Sequence, residues 1–197
     1  GSGQDDGTAV SIELLYPNDL INAGSTYYRI DEAFNPKLGY VRRTGVNKFQ
    51  NHFNWQPRFN DSKIVRQMFL SYTNSIYTNL GGGGETMENS VVLPRIVFES
   101  TDEIFLKYSH FTDNPEFNFF VPGAGTIDRG DYEWNAITIG GGLSNKRKLG
   151  ATASVAIHDD WYDWERIDYN VGFRWSINKH MLLSTAHRYS HFEQENL

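Results

Sequence analysis

The clearest pattern along the chain is a strict alternation of apolar and polar residues over residues 166–178. One set of positions holds Ile167, Tyr169, Val171, Phe173 and Trp175, and the other holds Asp168, Asn170, Gly172, Arg174 and Ser176. Because successive side chains of a β-strand point to opposite faces, this segment predicts a strand with one aromatic and one polar face. A shorter alternation over 46–55 sets Phe49, Phe53 and Trp55 against Gln50, His52 and Asn54, with Asn51 as the exception.

Runs of strand length separated by turn clusters fill most of the remaining chain. They predict strands near 8–16, 22–30, 63–78, 88–99, 103–111, 131–143, 148–158 and 181–191, although 64–78 and 181–191 alternate poorly. The longer loops fall at 31–45, at the glycine run 81–84, at 112–130 and at 159–165. Helical spacing is nowhere sustained. The fold class is therefore all-β: about ten antiparallel strands in an up-and-down β-barrel, one domain over residues 1–197.

The chemistry of the polar positions bears on which solvent the two faces meet. In a soluble sandwich the polar face meets bulk water and is rich in Lys and Glu, whereas polar residues inside a barrel face one another. The set Gln50, His52, Asn54, Asp168, Asn170 and Arg174 mixes amides, an imidazole and both charges, which is typical of a barrel lumen. From the pattern alone, a membrane barrel and a soluble barrel or sandwich both stay open.

Composition limits the classes of partner and cofactor that the chain is expected to bind. Aromatic residues make up 15% of the chain, and the net charge of −6 carries no basic run, so we expect no nucleic-acid partner. The chain has no cysteine, which excludes disulfides and thiolate metal sites. We expect no cofactor. No apolar run approaches the ~18 residues of a spanning helix.

Two segments carry the candidate ligand-binding residues. In HDDWYDWE, residues 158–165, the rings of Trp161, Tyr162 and Trp164 would stack on sugars while Asp159 and Asp160 accept hydrogen bonds from hydroxyls. The competing interpretation is an aromatic girdle at a membrane interface with acidic residues in the adjoining loop. In FNPKLGYVRR, residues 34–43, Arg42 and Arg43 would donate to an anionic glycan or a lipopolysaccharide phosphate, or the segment is simply a structured turn.

Metal and catalytic chemistry find little support. The acidic loop lacks the register of a calcium-binding loop. His187 and His191 would share a strand face about 13 Å apart, too far for one ion. The pairs Asp159/Asp160 and Glu193/Glu195 are of the kind that any acidic loop yields, so no glycosidase site is assigned. We predict no metal site and no catalytic residue.

The run from 16 to 59, and FNPKLGYVRR within it above all, resembles a bacterial outer-membrane β-barrel family of unknown function. In that family the barrel follows a domain like the family-9 carbohydrate-binding modules. GTIDRGDYEWN, residues 125–135, is similar to a segment before a later hairpin there. The resemblance implies the outer membrane of a Gram-negative bacterium, contact with membrane lipid and a link to glycans. Compared with that family, the sequence lacks the sugar-binding domain and the last strands, so we expect it to form part of a larger barrel.

These expectations give three hypotheses. The first is a non-enzymatic outer-membrane barrel domain that anchors or forms a passage for a surface glycan-handling protein, with Phe49, Phe53, Trp55, Tyr169, Phe173 and Trp175 facing lipid. The second is a soluble extracellular β-sandwich or barrel that binds carbohydrate through its loop aromatics. The third is a glycan-degrading enzyme.

Overall fold

A computed structural model describes residues 7–35, 41, 43–82 and 85–194, except the side chain of residue 85. This part of the chain forms twelve strands and no helix. They are β1 (Ala9–Tyr16), β2 (Ile21–Ile30), β3 (Val46–Trp55), β4 (Val65–Asn79), β5 (Glu85–Phe98), β6 (Glu103–Asp113), β7 (Phe119–Val121), β8 (Gly125–Ile127), β9 (Tyr132–Gly142), β10 (Leu149–His158), β11 (Glu165–Asn178) and β12 (Met181–Glu193). None of the described residues lies in a helix long and apolar enough to cross a membrane.

Ten of the strands form one antiparallel sheet in the order β1-β2-β3-β4-β5-β6-β9-β10-β11-β12. Strands β7 and β8 pair separately as a short hairpin between β6 and β9. The all-β class and the antiparallel up-and-down order of ten strands are confirmed. The sheet is not closed, because no ladder of the described residues joins β1 to β12. The predicted barrel is therefore seen here as an open sheet.

The two longest connections of the sheet, 31–45 and 114–131, lie at the same end, although the nine-residue connection 56–64 at the other end is longer than 80–84 and 159–164. At one end, the long-loop rim, the connections are residues 31–45, 80–84, 114–131 and 159–164. At the other, the short-turn rim, they are 17–20, 56–64, 99–102, 143–148 and 179–180. Strand β1 begins and β12 ends at the long-loop rim, so these two edge strands run antiparallel to each other.

The two faces of the sheet differ in polarity and in curvature. Residues directly opposite each other on neighbouring strands point to the same face. One face takes a polar residue from strand after strand and lines a single cavity, to which Glu13, Thr26, Gln50, Thr73, Glu88, Phe111 and Trp134 contribute from seven strands. This polar face is therefore concave. The convex face carries the large exposed apolar residues, among them all six side chains assigned to lipid from the sequence: Phe49, Phe53, Trp55, Tyr169, Phe173 and Trp175.

The buried core is small. Among the described residues the buried hydrophobic side chains are Val46, Ala124, Ile127, Trp134, Ala136 and Trp161. Most of them lie at the long-loop rim, where Ala124, Trp134 and Trp161 form one cluster. No second sheet or helix of the described residues covers the convex face.

A row of polar side chains crosses the convex face and explains why Asn51 breaks the alternation. Asn51 Nδ2 donates to Asn74 Oδ1 at 3.0 Å, and Asn74 Nδ2 donates to Asn89 Oδ1 at 2.6 Å. The row begins at Ser25, whose hydroxyl donates to Asn51, and continues across the sheet with His110 and Asn135, which bond to each other. Each member sits directly opposite the next in the strand register. Polar side chains on the convex face thus form hydrogen bonds with one another across neighbouring strands.

Tyrosines flank this polar row. The hydroxyls of Tyr72 and Tyr108 donate to Asn89 and Asn135 at 3.1 and 2.6 Å, each reaching diagonally to the neighbouring strand. Tyr27 makes the same contact with Asn47 at 2.8 Å. The convex face therefore has a belt of tyrosine and asparagine across it, with Tyr27 on the long-loop side of the asparagine row and Tyr72 and Tyr108 on the short-turn side.

Candidate functional site

The best-formed concave site is a cavity of about 710 Å³ on the polar face, near the long-loop rim. Its walls combine hydroxyls and amides with the aromatic rings of Tyr28, Tyr77 and Trp134. Strand alternation places these side chains, because every second residue of each strand points inward. His52 and Gln50, predicted from the sequence to face a lumen, lie in this cavity.

Cations and aromatic rings alternate along one wall. Lys48 Nζ lies 5.0 Å from the centre of the Tyr77 ring and 5.6 Å from that of Tyr28. The guanidinium of Arg43 lies 5.4 Å from the same Tyr77 ring. Cation–π attraction holds both long side chains against the rings. Arg43 lines the cavity, and Lys48 contacts two of the tyrosines in its wall.

A chain of hydrogen bonds ties the strands to the loops at the mouth of the cavity. Arg43 Nη1 donates to Thr86 Oγ1 at 3.1 Å, and Thr86 Oγ1 donates to Asp113 Oδ1 at 2.8 Å. The hydroxyl of Tyr162 donates to the other oxygen of Asp113. Burial raises the pKa of Tyr162, and the bond to Asp113 raises it further, so the phenol stays protonated and serves as a donor. A neighbouring cavity of about 390 Å³ shares Arg43, Thr86 and Asp113 with this one.

The loop 159–164 forms the roof. Trp161 is 7% exposed and meets Tyr162 edge-on at 4.8 Å between ring centres. Trp134 lies 4.8 Å from Tyr162, and the β7–β8 hairpin adds Val121 and Ala124 to the same cluster. Tyr162 has a φ of 51° and Asp163 a φ of 65°, a left-handed backbone that costs a non-glycine residue energy. The packing of the rings and the bond to Asp113 hold this conformation.

The structure divides the candidate residues predicted from the sequence between two cavities. Tyr162 and Arg43 reach the cavity on the polar face, whereas Asp159, Asp160 and Trp164 together line a separate cavity of about 450 Å³ beside the 159–164 loop. Trp161 is buried in the roof, so a sugar ring cannot stack on it unless the loop opens. Asp159 caps β9 by accepting bonds from the backbone N–H and the side-chain amide of Asn135. Asp160 is exposed at the loop surface. Arg42 lies outside the described residues, as do 36–40 of the same motif and Glu195.

A second charged cluster lies on the concave face around Asp168. Arg166 Nη2 and His158 Nε2 contact Asp168 Oδ2 at 2.9 and 3.2 Å, and Ser190 Oγ donates to Asp168 Oδ1 at 2.6 Å. The serine and the histidine both face the carboxylate rather than each other. The cluster therefore lacks the hydroxyl–imidazole contact of a nucleophilic triad and acts as an ion-paired brace between β10, β11 and β12.

Sequence reasoning missed Tyr77, Thr86 and Asp113 as cavity residues, and Lys48 as a contact of the wall tyrosines. Lys48 had a usable signal, since it shares the alternation of Gln50 and His52. Asp113 had none, because its partners are 27 and 49 residues away along the chain. Among the described residues, no group of three or more acidic, histidine or cysteine side chains is placed to hold a metal ion.

Searches of protein-family models, of curated proteins and of solved structures find no match for this chain.

Proposed function

We propose that this chain is the wall of an outer-membrane β-barrel in a Gram-negative bacterium, a non-enzymatic domain that anchors or forms a passage for a surface glycan-handling protein. The observation that carries the proposal is the inverted polarity of the sheet. Large apolar side chains are exposed on the convex face, and the polar side chains line a concave cavity. In water such a convex face needs a covering layer, whereas in a bilayer lipid covers it.

The dimensions of the apolar surface support the same proposal. The apolar positions of β11 run from Ile167 to Trp175, eight residue steps or about 27 Å along the strand. A strand tilted by about 40° would carry them through about 20 Å of membrane, near the ~25 Å apolar band of outer-membrane barrels.

The loop lengths add a third line of support. The two longest connections, 31–45 and 114–131, leave the same end of the sheet, and outer-membrane barrels usually carry their long loops at one end, outside the cell. On this assignment the cavity and its roof open toward the cell surface. Because β1 and β12 are antiparallel, they suit pairing with each other or with further strands of a larger barrel.

Membrane residence is tested by folding the chain in detergent micelles and running it unheated and boiled on a gel. We expect folding that requires detergent and faster migration of the unheated sample. A monodisperse protein that stays folded without detergent would contradict the barrel and favour the soluble extracellular carbohydrate-binding domain.

The glycan link rests on the cavity, where rings, hydroxyls and the Arg43 guanidinium, with Lys48 against the Tyr77 ring of the wall, suit a sugar with carboxylate groups. Binding of the folded protein to polygalacturonate and to neutral xylan is measured as the amount of each polysaccharide that the protein retains. We expect Lys48→Gln to weaken retention of polygalacturonate, while Lys179→Gln, in a turn at the opposite rim, leaves it unchanged. If both variants retain as much polygalacturonate as the unaltered chain, the cavity is not the glycan-binding site.

A further inference from the structure

The concave face changes in charge between its two ends. At the long-loop end, the cavity of about 710 Å³ holds three carboxylates beside one guanidinium: Glu13, Glu88, Asp113 and Arg43. Toward the short-turn rim, the concave positions of β6 and β9–β12 form a region that we call the lower wall. It takes every second residue of 103–107, 138–142, 150–156, 168–176 and 182–190.

Three basic residues of the lower wall have no anionic partner. Lys107, Arg174 and Arg188 point inward, because each lies an even number of residues from a concave neighbour on its own strand. No ion pair among the described residues involves any of the three. Arg174 donates at 2.7 Å to the backbone carbonyl of Asn145, which positions the guanidinium at the rim without neutralising it.

The two acidic residues of the lower wall are both paired. Glu103 accepts a hydrogen bond from Arg95 at 2.6 Å, and Asp168 lies 2.9 Å from the Arg166 guanidinium. The lower wall therefore carries uncompensated positive charge, although the chain as a whole has a net charge of −6. The excess of basic side chains in this region is a property of their placement and not of composition.

Small side chains separate these cations. The lower-wall positions of β9 and β10, between Lys107 on one side and Arg188 on the other, hold nothing larger than threonine. Phe105 reaches over this strip, since a Cβ atom on Gly140 would lie 2.7 Å from the tip of the Phe105 ring. Lys107 is half-buried and Arg188 exposed, so both meet the space in front of the wall. Four strand spacings of about 4.8 Å lie between them, so the cations line a path rather than a single point.

We propose that the lower wall makes the passage selective for small anions, with Lys107, Arg174 and Arg188 as successive weak contacts. The inference rests on the membrane barrel proposed above, in which the concave face is the wall of the lumen. Pores that conduct anions are lined by arginine and lysine, and conduction requires several sites that each release the ion readily. Separated, unpaired cations meet that requirement, whereas charges neutralised by a neighbouring carboxylate do not.

The test uses the full chain, folded in detergent and inserted into planar bilayers between potassium chloride solutions of unequal concentration. The reversal potential gives the chloride-to-potassium permeability ratio. We expect a ratio above unity in about 0.1 M salt and a smaller one in about 1 M salt, where charges are screened within about 3 Å instead of about 10 Å. The triple variant Lys107→Gln, Arg174→Gln and Arg188→Gln should bring the ratio to unity or below. Arg188→Gln alone, which breaks no ion pair of the described residues, should lower it part of the way.

A charge-matched variant controls for the total charge of the rim. Arg58→Gln, Lys63→Gln and Lys179→Gln remove as many cations from connections at the same rim and should leave the ratio unchanged. A ratio at or below unity for the unaltered chain, or an equal fall in the two triple variants, overturns the proposal. Heat-modifiable migration is recorded on the same samples. A chain that migrates as a folded barrel and carries no current refutes the anion path alone and leaves the barrel as an anchor, whereas one that stays folded without detergent refutes the membrane location itself.

Discussion

Asn74 shows how a polar residue is kept on an apolar surface. It is 8% exposed, and its amide is held from both sides by Asn51 and Asn89. Each neighbour relies on it for a partner, so the row behaves as one hydrogen-bonded unit rather than as three separate amides.

Replacing Asn74 by Val leaves the Asn51 amide without its acceptor and removes one of the two donors to Asn89 Oδ1, which keeps the Tyr72 hydroxyl. Leaving buried polar groups unpaired costs about 1–3 kcal/mol. We expect a loss of that size in the free energy of unfolding, measured by urea titration of the folded protein. Ser25→Ala at the exposed end of the row is the control and should cost about 0.5 kcal/mol or less. Equal losses in the two variants would mean that the row is not coupled.

Asp102 joins two turns of the short-turn rim. The backbone N–H of Ser144 donates to its carboxylate at 2.8 Å, the Ser100 hydroxyl at 2.8 Å, and Arg147 at 2.6 Å. These contacts, the Ser144 bond foremost, lower the pKa of Asp102 below its ordinary 3.8. A lowered folded-state pKa means that the stabilisation is present above pH 3.8 and is lost as pH falls through the folded-state pKa.

The charge of Asp102 should therefore matter only when it is ionised. We expect Asp102→Asn to be less stable than the unaltered chain at pH 7, and the gap to close at pH values below the folded-state pKa. Urea midpoints across this pH range measure it. Asp61→Asn, in another turn at the same rim, provides the comparison. A gap that persists at the acid end would assign the effect to the lost geometry of the carboxylate instead.

At the scale of single strands, β11 is the most informative element because its two faces differ most. Phe173 is 56% exposed on the convex face, and Asn170 points to the concave face. In a membrane barrel, Phe173→Arg places a charge against lipid and should cost about 2–4 kcal/mol near the midplane. Asn170→Arg, on the concave face, should cost far less. Unfolding in bilayers measures both; similar small costs would contradict a lipid-facing convex surface.

The roof loop depends on one buried ring. Trp161 packs against Tyr162 and Phe192, and the Arg166 guanidinium lies 4.5 Å above it. Truncating a buried tryptophan to alanine costs about 3–5 kcal/mol. We expect Trp161→Ala to open the 159–164 loop, seen as faster cleavage there in limited proteolysis. Trp55→Ala, on the exposed convex face, should leave cleavage unchanged. If Trp55→Ala accelerates cleavage as much as Trp161→Ala does, the conformation of the roof loop does not depend on Trp161.

The strands were predictable because period-two alternation is a local signal. The predicted strand over 166–178 lies within one residue of β11, and the one over 46–55 coincides with β3. The segment 64–78 looked irregular because β4 carries Phe69 and Tyr77 on its concave face, where Arg95 and Lys48 lie against their rings. Bulges in its pairing with β5 add to the irregularity.

What the sequence could not supply depends on tertiary contacts. The β7–β8 hairpin lies inside the predicted loop 112–130, because strands of three residues leave no periodic signal and rest on the packing around Trp134. The cavity mouth joins Arg43, Thr86, Asp113 and Tyr162, which no local pattern connects. Composition placed aromatics and acids in the 159–164 loop but could not show that Trp161 is buried while Trp164 lines a cavity with Asp159 and Asp160.

At the scale of the whole molecule, the pairing of the edge strands β1 and β12 determines whether the sheet is part of a barrel or stays open. Every residue of β1 is exposed, and all but one residue of β12 are. Alternation continues to the β1 edge, since Ile12 and Leu14 point to the convex face and Glu13 to the concave one. The β12 edge is mixed, because His187 and His191 lie on its convex face. An edge with this polarity suits the next strand of a barrel, and it would be an aggregation hazard if left open.

Hydrogen exchange of the folded protein distinguishes paired edges from open ones. In the open sheet every second amide of β1 and β12 points away from the sheet and has no ladder partner. If the edges pair in the membrane, those amides should exchange as slowly as the amides of the central strand β4, because exchange then requires opening of the wall. We expect such protection in the detergent-folded protein. Fast exchange confined to alternate residues of β1 and β12, with β4 protected, would show that the wall stays open and that the membrane proposal needs another way to cover its edges.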